Sequence, residues 1–319
     1  MSRYLYQPID PTGIRTRPIR GRTTKVSTSQ FGQAYQKGSG IPGLVNSLPE
    51  ILAGSAFRKI VDAILFAKAN RRVIVWGLGA HVIKCGLNPI LIDLMRRGFV
   101  SAIALNGAGA IHDLEIAMTG ATSEEVEKEL VDGQFGMAHE TPLELNEAIR
   151  LGSAKNLGMG ESIGCYLFDH PDHFPHREFS LLSSAYERRI PVSVHVAIGT
   201  DTIHNHPSTN GAELGKTSLQ DFRLFTAVVR DLHDGGVYLN CGSAVILPEV
   251  FLKAVSLVRN LGQPLENFTT VNLDFIQQYR AQQNVLIRPT QLTGQGISLI
   301  GHHELLLPLL TAVLIETEK

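Results

Sequence analysis

Short apolar runs that end in glycine, asparagine or aspartate, most of them followed by a stretch of helical period, recur from residue 72 to residue 300, with a closing helical stretch to residue 315. This alternation constrains the fold more than any other feature. Arg72-Val-Ile-Val-Trp76 runs into Gly77-Leu-Gly79, and Val100–Leu105 ends in Asn106-Gly-Ala-Gly109. Pro191–Ile198, Val237–Asn240, Phe268–Leu273 and Ile297–Ile300 are the later runs. Helices are predicted over Leu48–Ala69, Cys85–Arg97, Ile111–Met118, Phe179–Arg188, Ser218–Asp234, Pro248–Asn260 and Glu304–Ile315. Between residues 119 and 180 the signal weakens: Glu124–Leu130 and Pro142–Leu151 read as helical, and Gly158–Phe168 fits either helix or strand. Near-continuous apolar strands joined by helices demand a parallel sheet covered on both faces. The expected class is therefore α/β: a Rossmann-like, mostly parallel sheet with helices on both faces. Residues 49–319 would form one such domain, preceded by an extended arm over residues 1–48.

Composition narrows the partners. A net charge of −1 across 319 residues provides no basic field for nucleic acid or an anionic membrane. The basic residues near the start (Arg3, Arg15, Arg17, Arg20, Arg22, Lys25) are interrupted by Asp10 and by prolines, as in an extended arm. The longest apolar run, Leu305–Ile315, is about half a membrane span and contains Pro308. Cys85, Cys165 and Cys241 show no CxxC spacing and read as reduced thiols. With no apolar signal segment at the start, a cytoplasmic location is expected.

In an open parallel sheet, loops and helix N-termini gather beyond the carboxyl ends of the strands, and the site is expected there. The loops in question are Gly77–His81, Asn106–Asp113, Gly199–His206, Cys241–Ser243, Asn272–Asp274 and Gly301–Glu304. As a dinucleotide fingerprint Gly77-x-Gly79 is incomplete, because Val82 stands where the third glycine belongs. The histidines are more informative: His81, His112, His204, His206, His302 and His303 all fall in these loops. Imidazole serves as proton carrier, substrate anchor or metal ligand. His112, Asp113, His204 and His206 are the candidate catalytic groups, and His204-x-His206 also has the spacing of ligands for a divalent metal.

At these loops the chain resembles the deoxyhypusine synthase family over roughly residues 50–315. Two blocks carry the resemblance: Gly86-Leu87 through Asn106-Gly-Ala-Gly-Ala-Ile-His-Asp113, and Ile190-Pro-Val192 through Gly242 with Thr200-Asp201 and Cys241-Gly242. The closing Pro308-Leu-Leu310 helix matches as well. The resemblance implies a Rossmann-like tetramer that binds NAD, oxidises an amine by hydride transfer and passes the aminobutyl group through a lysine imine. Carried over by position, Gly79, Asn106, Gly107, Asp201 and Gly242 would line the NAD pocket, with Gly109 in the same turn. His81, His112 and His302 stand where the family has polar or acidic NAD contacts. Where the family carries its catalytic lysine, this chain reads Thr293-Gly-Gln-Gly296, and no lysine occurs between Lys253 and Lys319. The expectation is a homo-oligomeric NAD-binding enzyme acting on a small, amine-type substrate without the imine step. The alternatives are a metal-dependent enzyme using His204 and His206, or a non-catalytic nucleotide-binding protein.

Overall fold

In a computed structural model that describes residues 3–318, the apolar runs become six strands. They are β1 (Ile74–Leu78), β2 (Ala102–Asn106), β3 (Val192–His195), β4 (Val237–Cys241), β5 (Thr269–Asp274) and β6 (Gln295–Ile300). All neighbours pair in parallel, in the order β3-β2-β1-β4-β5-β6. The order reverses between β1 and β4, which makes their carboxyl ends the topological switch point of the sheet.

The helices are α1 (Gly40–Ser47), α2 (Leu52–Ala69), α3 (Ala80–Lys84), α4 (Asn88–Arg96), α5 (Gly107–Thr119), α6 (Val126–Glu129) and α7 (Glu140–Ala154). The later ones are α8 (Met159–Asp169), α9 (Leu181–Glu187), α10 (Gly211–Arg230), α11 (Ile246–Asn260), α12 (Tyr279–Ala281) and α13 (His303–Thr317). A π-helical turn, Gln282–Ile287, continues α12.

Alternation along β1 splits the core in two. Ile74, Trp76 and Leu78 face a cluster built with α2, α4, α5, α8 and α13. Val75 faces a second cluster containing Phe225 and Val229 of α10, Phe251 and Val255 of α11, and Val285. Trp76, the one tryptophan, is wholly buried and donates its indole N–H to the Phe99 carbonyl at 3.0 Å. Residues 3–39 carry only 3-10 turns, and the arm is fastened at its end. There Arg58 of α2 donates to the carbonyls of Val45 and Leu48 at 2.8 and 2.5 Å. Among the described residues no helix is long and apolar enough to cross a membrane.

Candidate functional site

The crevice at the switch point is floored by glycine. The Gly79 N–H donates to the Cys241 carbonyl at 2.8 Å, and a Cβ on Gly79 would overlap the Gly242 carbonyl. Gly242 adopts φ +71° and lies against the His303 ring. No side chain fits between the two loops, so backbone alone lines the crevice floor.

On the β2 side Asp201 is buried against the start of α5. Asn106 caps α5 through Oδ1, which accepts from Gly109 N–H at 2.9 Å. The Asp201 carboxylate sits against the same helix start: it accepts from the Ala108 N–H, and a Cβ on Gly107 would overlap it. A helix N-terminus attracts an anion, and here the protein supplies its own. Burial raises the Asp201 carboxyl above its usual range, opposed by His204 and the Ala108 N–H. Nδ1 of His204 accepts from the backbone N–H groups of Gly199 and Asp201 at 3.1 and 3.3 Å. The proton of the neutral ring is therefore on Nε2. Nε2 and Asp201 Oδ2 lie 4.0 Å apart with side chains 4% and 6% exposed, and neither atom has a hydrogen-bond partner.

The other side of the crevice is a group of rings and ligand-type atoms. His81 of α3 lies with its ring centroid 5.7 Å from His303 and 5.8 Å from Phe275. Its Nε2 is 3.2 Å from Cys85 Sγ, which in turn is 3.8 Å from Glu304 Oε2. Burial, then the Glu304 carboxylate, hold the Cys85 thiol above its usual range. His302 is exposed and stacks on Phe275 at 6.3 Å. His303 is buried and gives its Nε2 proton to the Leu273 carbonyl at 3.1 Å, which leaves Nδ1 as a lone pair with no donor.

The structure separates residues that the sequence reading grouped. Asp113, expected as a catalytic carboxylate, is fully buried. Its oxygens accept from Asn88, Ser180 and the N–H groups of Leu181 and Leu182 at 2.5–3.0 Å, so it caps α9 and reaches no substrate. His112 turns toward Thr122 and Glu115, at 2.7 and 3.6 Å, on the flank between α5 and α7. His206 leaves the cleft as well: Nδ1 pairs with Ser208 at 2.8 Å and the ring packs on His139. The His204–His206 pair gains no third ligand. Among the described residues, the one group of three metal-type ligand atoms within reach of each other is His81, Cys85 and Glu304. Cys85 and Glu304 were not foreseen as site residues. The i, i+4 spacing of His81 and Cys85 was the available signal.

The residues fit a nucleoside held through hydroxyls better than a phosphate at α5, because Asp201 already occupies that helix end and keeps one oxygen unfilled. Gln295 begins β6, at the opposite end of the sheet from the histidines, and its amide donates to Thr269 Oγ1 at 3.2 Å.

This architecture defines a Rossmann-like α/β protein with a deoxyhypusine synthase-like fold. It is similar to a putative deoxyhypusine synthase from Entamoeba histolytica, at 14% identity and a TM-score of 0.54, over 90% of this chain and 97% of that one. A conserved putative LOR/SDH protein from Methanococcus maripaludis S2 is similar at 17% identity and a TM-score of 0.54, over 85% and 72% of the two chains. AgrE in its ternary complex with ornithine and NAD+ matches at 17% identity and a TM-score of 0.52, over 83% of this chain and 34% of AgrE. The chain thus spans about a third of AgrE. No family model and no curated protein matches the sequence.

Proposed function

We propose that this protein is an NAD-binding enzyme that performs oxidoreductase- or transferase-type chemistry on a small, amine-type substrate without a lysine imine. The carrying observation is the pair of unfilled buried atoms, Asp201 Oδ2 and His204 Nε2, beside the glycine-floored switch point. A buried polar atom without a partner costs roughly 1–3 kcal/mol, and a ligand that fills both recovers that cost. Asp201 offers an acceptor to a ribose hydroxyl or to a cationic ring. Bound NAD would supply a hydride acceptor. His204 contributes a donor: with Nδ1 engaged by two backbone N–H groups, it presents Nε2–H and is not a base at that atom. Gln295 has no primary amine and forms no imine. The likeness in fold to AgrE, crystallised with ornithine and NAD+, supports the same reading.

The test is calorimetric titration with NAD+. Binding is expected, and Asp201→Asn should weaken it by about tenfold or more, as loss of one hydrogen bond to a charged group does. No heat with NAD+, NADP+ or adenine nucleotides at millimolar concentration sinks the reading.

A further inference from the structure

We propose that His81, Cys85 and Glu304 form a mononuclear site for a divalent ion of zinc-like character, open to the cleft. The three ligands come from two elements. His81 lies in α3, and Cys85 is the residue that caps it. Their spacing of four puts imidazole and thiol on one face of a single turn. Gly86, at φ +73°, ends that turn and lets the chain leave without crossing it. Glu304 lies in the first turn of α13, which follows β6 and so begins at the same end of the sheet.

The distances fit a single ion. All three ligand atoms lie within 4.8 Å of one another, with Nε2···Sγ at 3.2 Å and Sγ···Oε2 at 3.8 Å. Nitrogen, sulfur and oxygen ligands at zinc distances and a tetrahedral angle stand roughly 3.5 Å apart. Small rotations of exposed side chains close the remaining gap. The donor set also balances charge, since one thiolate and one carboxylate offset an ion of charge +2.

Without an ion, the His81 Nε2–H can donate to Cys85 Sγ while the thiol donates to Glu304 Oε2. An ion in place of the thiol proton would be held by the same three atoms. His302 Nδ1 lies 3.7 Å from the other Glu304 oxygen and is held against Phe275, so it is placed to orient the carboxylate. The buried Nδ1 lone pair of His303, beside His81, has no donor within the protein. With His81 and Glu304 exposed and three protein ligands in all, a fourth position is left for water or substrate. Such an open site polarises a bound oxygen as a Lewis acid. The site stands independently of nucleotide binding.

Cobalt(II), used in place of zinc, supplies the test. Titration of the full-length protein should give a near-ultraviolet thiolate-to-cobalt band that saturates at one equivalent per chain and is displaced by zinc. Cys85→Ser should abolish the band, and Cys165→Ser should leave it intact. Loss of an outer-shell partner already costs 10–100-fold in affinity, so Glu304→Gln and His81→Ala should each weaken binding by about 100-fold or more. Circular dichroism would verify that each variant is folded. Absence of a thiolate band in folded wild-type protein, or its persistence in Cys85→Ser, overturns the assignment.

Discussion

Three buried side chains set opposing slopes in the protein's response to pH. Burial pushes the Asp113 carboxyl up to about 6, against the pull of Ser180, Leu182, Leu181 and Asn88. Its contribution to stability is whole below the ordinary carboxylate value and is lost as the pH rises through 6. Asp221, raised by burial to about 7 while accepting from the N–H groups of Gly160 and Val194, acts in the same direction. Burial drives His195 the other way, down to about 4, so its contribution is whole above 6.5 and is lost as the pH falls through 4. A shift of that size corresponds to on the order of 3 kcal/mol. Denaturant unfolding at several pH values between 4 and 7 should therefore show His195→Gln losing less stability on acidification than wild type. Asp113→Asn, although less stable throughout because an amide meets those donors, should lose less as the pH is raised. Parallel profiles for wild type and both variants would refute this account.

At the scale of elements, close approach depends on single missing side chains. A Cβ on Gly160 would overlap the Val192 carbonyl, where the start of α8 lies on β3. Backbone cannot yield as a rotamer does, so Gly160→Ala should destabilise the protein by about 1–3 kcal/mol in urea unfolding. Gly215→Ala, in α10 with open space around it, should be neutral or stabilising by up to about 1 kcal/mol. Equal stability of the two variants would disprove the close-packing explanation. The strands were legible in the sequence because burial on both faces writes an apolar run. Helix α8 was ambiguous because Gly158, Gly160 and Gly164, placed there for close packing, dilute the helical period. Helix α10 starts at Gly211 rather than near Ser218, since Asn210 caps a turn that its glycines conceal. The one-turn helix α3 was missed, so Cys85 was read as the start of a helix instead of the end of one. The partnership of Cys85 with Glu304, 219 residues away, is a product of the sheet and has no local signature. Asp113 likewise caps a helix 68 residues downstream, which no pattern around it reveals.

For the molecule as a whole, the arm is the part least satisfied by its own chain. Leu5 and Ile9 are 97% and 91% exposed, and Tyr6, Ile14, Ile19 and Phe31 are exposed beside them. Apolar side chains in such number call for cover, and a second copy of this chain is the expected source, in a homo-oligomer such as a tetramer. Analytical ultracentrifugation should give a multiple of the 34.8 kDa chain mass, and removal of residues 1–36 should lower it. A compact monomer at micromolar concentration would rule this out.

The carboxylate of Asp201, seated on the start of α5, has a consequence for how the protein answers ionic strength. A helix end neutralised from within projects little field, and a chain with a net charge of −1 adds almost none. On the proposed reading, a nucleotide bound beside it would be held by hydroxyl contacts. Its affinity should therefore be almost the same in dilute and in concentrated salt, unlike that of a protein which grips phosphate with exposed cations.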